Sequence, residues 1–315
     1  MSEIKKVATR EGFGATLVKL ADEGKDFLAL DADLAAATKS GVFKKKYPER
    51  FYNCGIAEQN MMSIAAGIAA TGKKVFASSF AMFASGRAFE QVRNSIGYPH
   101  LGVVICATHG GISVGEDGAT HQCCEDLALM RTIPGMTVIN PADVIEASLA
   151  VRAAYELDGP CYIRFGRLAV PVVFDENYKF CIGKGVELKA GNDVTIIATG
   201  LLVGEAMKAH DILKEEGVNA RIINMATIKP LDNDIVIKAA KETGALVTAE
   251  EHSVIGGLGS AVCDVTAAEC PVPVVKVGVQ DTFGMSGPAE ELLDKFGFRA
   301  PDLVKAAKKA IALKK

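Results

Sequence analysis

The sequence predicts an α/β protein of two consecutive domains, each a mostly parallel sheet flanked by helices. Three observations lead there. Short apolar runs alternate with stretches of helical period along the whole chain, the pattern of sheets covered by helices on both faces. A chain of 315 residues, 49% of them hydrophobic, is too long for one small core. From Leu168 to Asn192 the pattern loosens into Pro171, a short apolar run at 172–174, Tyr178, Gly183, Gly185 and Gly191, before a clean strand begins at Val194. Such a break marks a domain boundary. The first domain is therefore assigned to residues 1–170, a linker to 171–191 and the second domain to 192–315.

Taken in order, the first domain reads as helix 10–22, strand 27–30, helix 59–70, strand 75–78, helix 86–96, strand 103–107, strand 137–139, helix 143–156 and strand 161–165. The second continues the style with strands 194–198, 220–224, 246–249 and 272–277. Each strand is a brief apolar run, as a strand buried on both faces is.

Bulk charge excludes some partners. With 35 basic and 38 acidic residues the formal charge is −3, so no global field favours nucleic acid or an anionic membrane. No apolar stretch reaches bilayer length and the opening MSEIKK lacks the apolar core of a signal peptide, which predicts a cytoplasmic protein. The eight cysteines are scattered without metal-ligand spacing and include the neighbours Cys123 and Cys124. Reduced thiols and no structural zinc are expected.

The densest chemistry lies at 101–122, LGVVICATHGGISVGEDGATHQ. An apolar strand there delivers His109 to its carboxyl end, where parallel sheets place ligand-binding groups. Glycines at 110, 111, 115 and 118 let the following loop turn and approach a ligand closely. Glu116, Asp117 and His121 give it polar groups that a plain connector does not need.

A second candidate is FYNCGIAEQNMMSIAAGIAATGKK at 51–74, which sets Glu58 almost alone at the start of an alanine-rich helix. Two readings stay open on these residues. An acid in a first helical turn stabilises the helix dipole by about 0.3–1 kcal/mol. Alternatively, burial beside Ile56, Ile64 and a ligand's apolar face raises the pKa, so that the carboxyl group shares a proton with a heterocyclic nitrogen. Phe80 and Phe83, just downstream, are either core or a stacking wall for a planar ring.

Together these motifs resemble the carboxyl-terminal half of transketolase, a thiamine diphosphate enzyme. GIAEQN at 55–60 resembles the family's glutamate motif, SFAMF at 79–83 its aromatic cofactor wall, and HGGISVGEDGATHQ its substrate loop. The resemblance spans nearly the whole chain, as a pyrimidine-binding domain followed by the family's carboxyl-terminal domain. It implies that Glu58 hydrogen-bonds N1′ of the cofactor's aminopyrimidine and promotes its imino tautomer, with Phe80 and Phe83 as the wall and Asp33 of DADL near the thiazolium. It further implies that His121 lines the reaction centre, Asp117 contacts a sugar hydroxyl and His109 a phosphate. Arg10 of VATRE and Arg164 of YIRFGR resemble the two arginines that grip the sugar phosphate, a role that suits the planar guanidinium fork. Taken singly, Arg10, Arg164 and Asp33 read more readily as surface ion pairs or helix caps.

Two positions depart from the family pattern. Ala37 stands where a phosphate-binding serine is usual, with Thr38 and Ser40 nearby, and Gly86 replaces a third aromatic of the cofactor wall. The chain also has no GDG motif, the family's site for the diphosphate and its metal. The resemblance thus implies a split enzyme, in which an amino-terminal partner subunit carries the diphosphate and Mg²⁺ or Ca²⁺, this chain contributes no metal ligand, and two copies of each subunit form a heterotetramer acting on sugar phosphates.

Other readings remain. The glutamate motif is shared with 2-oxo-acid dehydrogenase β subunits and deoxyxylulose phosphate synthase, and a non-catalytic assembly subunit would keep these residues for structure alone. A nicotinamide-binding fold is disfavoured by the lack of a complete glycine fingerprint. The segment HSVIGGLGSAV at 252–262 lacks the third glycine of that fingerprint and reads as a structural turn before a helix. Glu250, Glu251 and His252 read as either an interface or a regulatory cluster.

Overall fold

A computed structural model describes residues 5–314. Seven strands form the first sheet, in the order Thr227–Lys229, Thr137–Ile139, Cys161–Arg164, Val103–Thr108, Lys74–Phe80, Phe27–Asp31 and Phe51–Asn53. Every pairing is parallel except that of Thr227–Lys229. The central strand Val103–Thr108 is buried along its whole length, as its unbroken apolar sequence requires. A second sheet of five strands runs Val274–Val279, Leu246–Ser253, Val194–Ala198, Ala220–Asn224 and Val186–Lys189, with only the last antiparallel.

Five short strands were invisible to periodicity, Lys6–Ala8, Phe51–Asn53, Ala169–Pro171, Val186–Lys189 and Thr227–Lys229, and the last three cross or narrow the expected boundary. Ala169–Pro171 pairs with Lys6–Ala8. Val186–Lys189, inside the stretch read as linker, forms an edge of the second sheet, while Thr227–Lys229 leaves the second half of the chain to edge the first sheet. Runs of three or four residues on an edge are held by backbone pairing and carry too little apolar pattern to be recognised.

Helices Thr9–Asp22, Glu58–Ala69 and Val144–Glu156 lie close to their expected places. The helix expected at 86–96 differs. It begins at Met82 and is wound mostly as π-helix, over Met82–Arg87 and Val92–Gly97, around the short α-turn Phe89–Gln91. Bonds from Ala88 N–H to Phe83 C=O (3.2 Å) and from Tyr98 N–H to Arg93 C=O (2.8 Å) span the wider turns. π-Turns re-aim side chains and recur at functional sites.

The two halves share one interior. A single apolar cluster runs from Leu30, Met61 and Ile105 through Tyr162 to Ile223, Ile228, Leu258 and Val262. Among the described residues no helix is long and apolar enough to cross a membrane, and all eight cysteines are unpaired.

Candidate active site

Parallel pairing brings the carboxyl ends of the strands to one edge of the first sheet, and the chemically rich segments follow directly from those ends. Asp33 follows Phe27–Asp31, Glu58 follows Phe51–Asn53, Phe83 follows Lys74–Phe80, and His109 follows Val103–Thr108.

Glu58 opens its helix and is only 2% exposed. The apolar neighbours expected to bury it do not: Ile56 is 80% and Ile64 39% exposed on this chain. The carboxylate instead meets a partner that the sequence reading did not consider. Arg87 Nη1 donates to Glu58 Oε2 at 2.8 Å, and its guanidinium lies 4.5 Å from the centre of the Phe83 ring.

From Phe83 the contacts continue. Phe83 and Phe80 lie 6.0 Å apart with an interplanar angle of 18°, and the half-buried His121 presents an edge to Phe83 at 5.3 Å and to Phe80 at 6.4 Å. His109 stacks on Phe80 at 3.8 Å. These rings form one connected chain of contacts at the carboxyl edge of the sheet, with Phe80 buried at 8% exposure.

His109 is 3% exposed and held at φ +59°, a left-handed conformation unusual for a residue other than glycine. Its Nε2 lies 3.2 Å from Arg10 Nη1 and its Nδ1 2.9 Å from Thr108 Oγ1. A guanidinium only donates, so Nε2 accepts and the ring proton sits on Nδ1, facing the threonine hydroxyl. Burial, then the charges of Arg10, Arg167 and His121, push the His109 pKa down to about 3. The ring is therefore neutral at ordinary pH, with both nitrogens occupied. Its geometry orients Arg10, whose own pKa is lowered by burial, and whose Nε is buried without a partner.

The Ala37 departure has a definite outcome, since the Ala37 carbonyl accepts from Arg10 Nη1 at 2.8 Å. Thr38 and Ser40 do not stand in for the absent serine. Their buried hydroxyls donate to Asp31 Oδ2 at 2.8 and 2.9 Å, beside the Ser78 hydroxyl at 2.7 Å. Asp31 is fully buried, and burial raises its pKa against these bonds. Neighbouring Asp33 is exposed at φ +63° and exchanges hydrogen bonds with Asn53. It stands outside the aromatic chain.

Arg164 and Arg167 have different surroundings from those their motif suggests. Arg164 is 2% exposed: its Nε donates to Asp126 Oδ2, and its Nη2 to the carbonyls of Cys123 and Glu251, each at 2.9 Å. That fork joins the two domains. Arg167, three residues on, has a side chain 39% exposed. It bonds Glu116 Oε2 at 2.8 Å and the Val114 carbonyl, and lies near enough to Arg10 and His109 to depress both pKa values. The sequence reading missed Arg167, although YIRFGR offered two arginines.

The loop carrying Glu116, Asp117 and His121 is held from behind. Gln122 Nε2 lies 3.1, 3.2 and 2.9 Å from the carbonyls of Ile112, Gly115 and Met285, and Glu251 Oε1 accepts from Ser113 N–H at 2.5 Å. Gly111, at φ +88°, is packed so closely against Glu251 that a Cβ would overlap its carboxylate. Asp117 is exposed on the loop's outer side.

Of the cluster Glu250, Glu251 and His252, the last two meet the first domain and Glu250 stays within its own. Glu250 accepts from Leu258 N–H and Gly259 N–H at 2.7 and 2.8 Å, so the anion at this helix start is the chain's own carboxylate. His252 Nε2 accepts from Ala128 N–H at 3.3 Å. Nearby, Asp143 Oδ2 accepts from Val173 and Phe174 N–H at 2.7 and 2.8 Å. Glu146 Oε1 accepts from Tyr178 and Asn224, both at 2.7 Å. Burial raises the Glu146 pKa to about 7 despite those bonds.

A buried carboxyl group thus lies at the carboxyl edge of a parallel sheet, joined through Arg87 to the Phe83–Phe80 pair. Residues 5–172 match the family described as transketolase, pyrimidine binding domain, and residues 183–303 match transketolase, C-terminal domain. The chain belongs to the transketolase family, as a carboxyl-terminal subunit of the split type. It is 50% identical over 299 residues to a chain described as a transketolase C-terminal section from Methanocaldococcus jannaschii, covering 94% of each. A 6-deoxy-6-sulfo-D-fructose transketolase subunit from Clostridium sp. (strain MSTE9) is 43% identical over 298 residues, covering 95% of this chain and 92% of the relative. A solved structure described as split gene transketolase, inactive beta4 tetramer, superposes with a TM-score of 0.91 at 50% identity, over 99% of this chain and 100% of that one.

Proposed function

We propose that this chain, with an amino-terminal partner subunit, forms a thiamine diphosphate-dependent transketolase that moves a two-carbon glycolaldehyde unit from a ketose phosphate to an aldose phosphate. The observation that carries the reading is Glu58: a 2% exposed carboxyl group at a helix start, with no protein hydrogen bond among the described residues except that from Arg87. Its remaining acceptor capacity and the Phe80–Phe83 pair fit a flat ring with an edge nitrogen. The cofactor, when bound, supplies the electron sink, and the protein supplies position and proton balance.

Each side chain then has a task. Glu58 holds the proton at the ring nitrogen, and proton transfer of this kind contributes about 100- to 10,000-fold to rate. His121, half-exposed and touching both rings, exchanges protons with substrate oxygen at the reaction centre. Asp117 receives a sugar hydroxyl. Arg10 and Arg167 take the anionic end of the sugar, with Arg167 in the role the motif had suggested for Arg164. His109 positions Arg10, and Asp33 orders the loop leading to Glu58 through Asn53. The partner subunit contributes the diphosphate and metal ligands, and pairing of two such units gives a heterotetramer. The relative's name, with its sulfonated ketose, accords with a pocket that reads an anionic terminus.

The test is turnover by the two-subunit enzyme with a ketose phosphate plus an aldose acceptor, against turnover with pyruvate. Sugar transfer alone supports the proposal. Pyruvate decarboxylation without sugar transfer overturns it in favour of a 2-oxo-acid or deoxyxylulose phosphate enzyme.

A further inference from the structure

Arg87 covers both groups that the proposed function assigns to the pyrimidine. It donates to Glu58 Oε2 at 2.8 Å and lies 4.5 Å above Phe83. The local winding explains how it gets there. The π-turn Met82–Arg87 carries the chain around a wider circle than an α-turn. Gly86 sits so close to Met82 that a Cβ would overlap its methyl group. Only that flexible methyl group would have to shift for a side chain at 86, and the next residue, Arg87, is the one that reaches the carboxylate and the ring.

We propose that Arg87 is a displaceable latch: it holds Glu58 in the subunit without cofactor, and the aminopyrimidine must push it aside to reach both the carboxylate and the ring. This rests on the reading of Glu58 and Phe83 as cofactor contacts. The pair is asymmetric in the way a latch needs. Glu58 is fixed, with a side chain 2% exposed, whereas the Arg87 side chain is 47% exposed and makes no other side-chain hydrogen bond among the described residues. The exposed partner can swing into solvent while the buried one stays. A carboxylate left buried without a counter-ion is costly, so the latch also preserves the unassembled subunit. A closed latch lowers apparent cofactor affinity in proportion to the fraction of time it is shut.

Two variants and two readouts test this. In the isolated chain, Arg87→Gln lowers the melting temperature and Arg87→Lys restores most of the loss. In the chain assembled with its amino-terminal subunit, the dissociation constant of thiamine diphosphate with Mg²⁺, measured by calorimetry, tightens about tenfold in Arg87→Gln, the lower end of what one charge-assisted hydrogen bond provides. Arg87→Lys, which keeps the charge but loses the planar fork, tightens less and carries the test if the glutamine variant does not fold. Equal affinity in wild type and both variants overturns the latch. Weaker binding in the variants also overturns it, by making Arg87 a cofactor-holding group. If the wild-type complex binds no thiamine diphosphate, the reading of the site itself fails.

Discussion

The open edge of the first sheet and the seam between the domains hold similar residues in opposite conditions. At the seam Arg164, Asp126, Glu146 and Glu251 are buried and bonded across the two domains, through Asp126 Oδ2, the Glu251 carbonyl, the Asn224 amide and Ser113 N–H, although Asp126 Oδ1 is buried without a partner among the described residues. At the edge Arg167 is partly exposed, and among the described residues Arg10 keeps a buried Nε without a partner and the Glu58 carboxylate is bonded by Arg87 alone, whose side chain is 47% exposed. The difference separates support from function. A buried charge whose hydrogen bonds close within the chain supports the fold, and on the proposed function the open capacity of Glu58 and Arg10, at the edge rather than inside the seam, is what a ligand would use.

The sharpest break of this comparison is expected at Glu58. Glu58→Gln should lower turnover of the assembled enzyme by at least about 100-fold, in line with a proton-transfer role, while leaving assembly intact by size-exclusion chromatography. Full activity would move Glu58 to the support class. On the seam side, Arg164→Ala should cost stability of about 3–5 kcal/mol, as expected for one partner removed from a buried pair, measured by denaturant unfolding.

Arg167→Ala sharpens the contrast between two arginines three residues apart. It should raise KM for a sugar phosphate by roughly tenfold or more, the value of a charge-assisted bond, with little change in stability. A KM unchanged by Arg167→Ala would return the phosphate role to another group.

The comparison also extends to pH dependence, where the effects have opposite signs in the two regions. His109 has its pKa depressed from 6.5 to about 3, so its contribution to stability is present above pH 6.5 and is lost as pH falls toward 3. Glu146 has its pKa raised from 4.5 to about 7, so its contribution is present below pH 4.5 and is lost as pH rises through 7. Melting temperature against pH should therefore flatten on the acid side in His109→Asn and between pH 4.5 and 7 in Glu146→Gln.

How much of this the sequence disclosed follows from the same distinction. The alternation of apolar runs and helical stretches revealed the α/β class, and unbroken strands such as 103–107 made the ligand edge legible. His109, Asp117 and His121 stood out because glycines and polar groups crowd a loop that needs none for structure. Edge strands such as Thr227–Lys229 stayed hidden, since their pairing is made by backbone groups far apart in sequence. The choice between Arg164 and Arg167 depended on burial, which one motif cannot convey. Arg87 was missed because it lay in a segment read as an ordinary helix, where the π-turns that aim it leave no periodic mark.

The central claim is that this chain holds only half of a cofactor site. Calorimetric titration of thiamine diphosphate with Mg²⁺ into the chain alone, and then into the chain mixed with its amino-terminal subunit, tests it directly. Weak or absent binding in the first and tight binding in the second is the predicted result. Tight, metal-dependent binding to the isolated chain would contradict it.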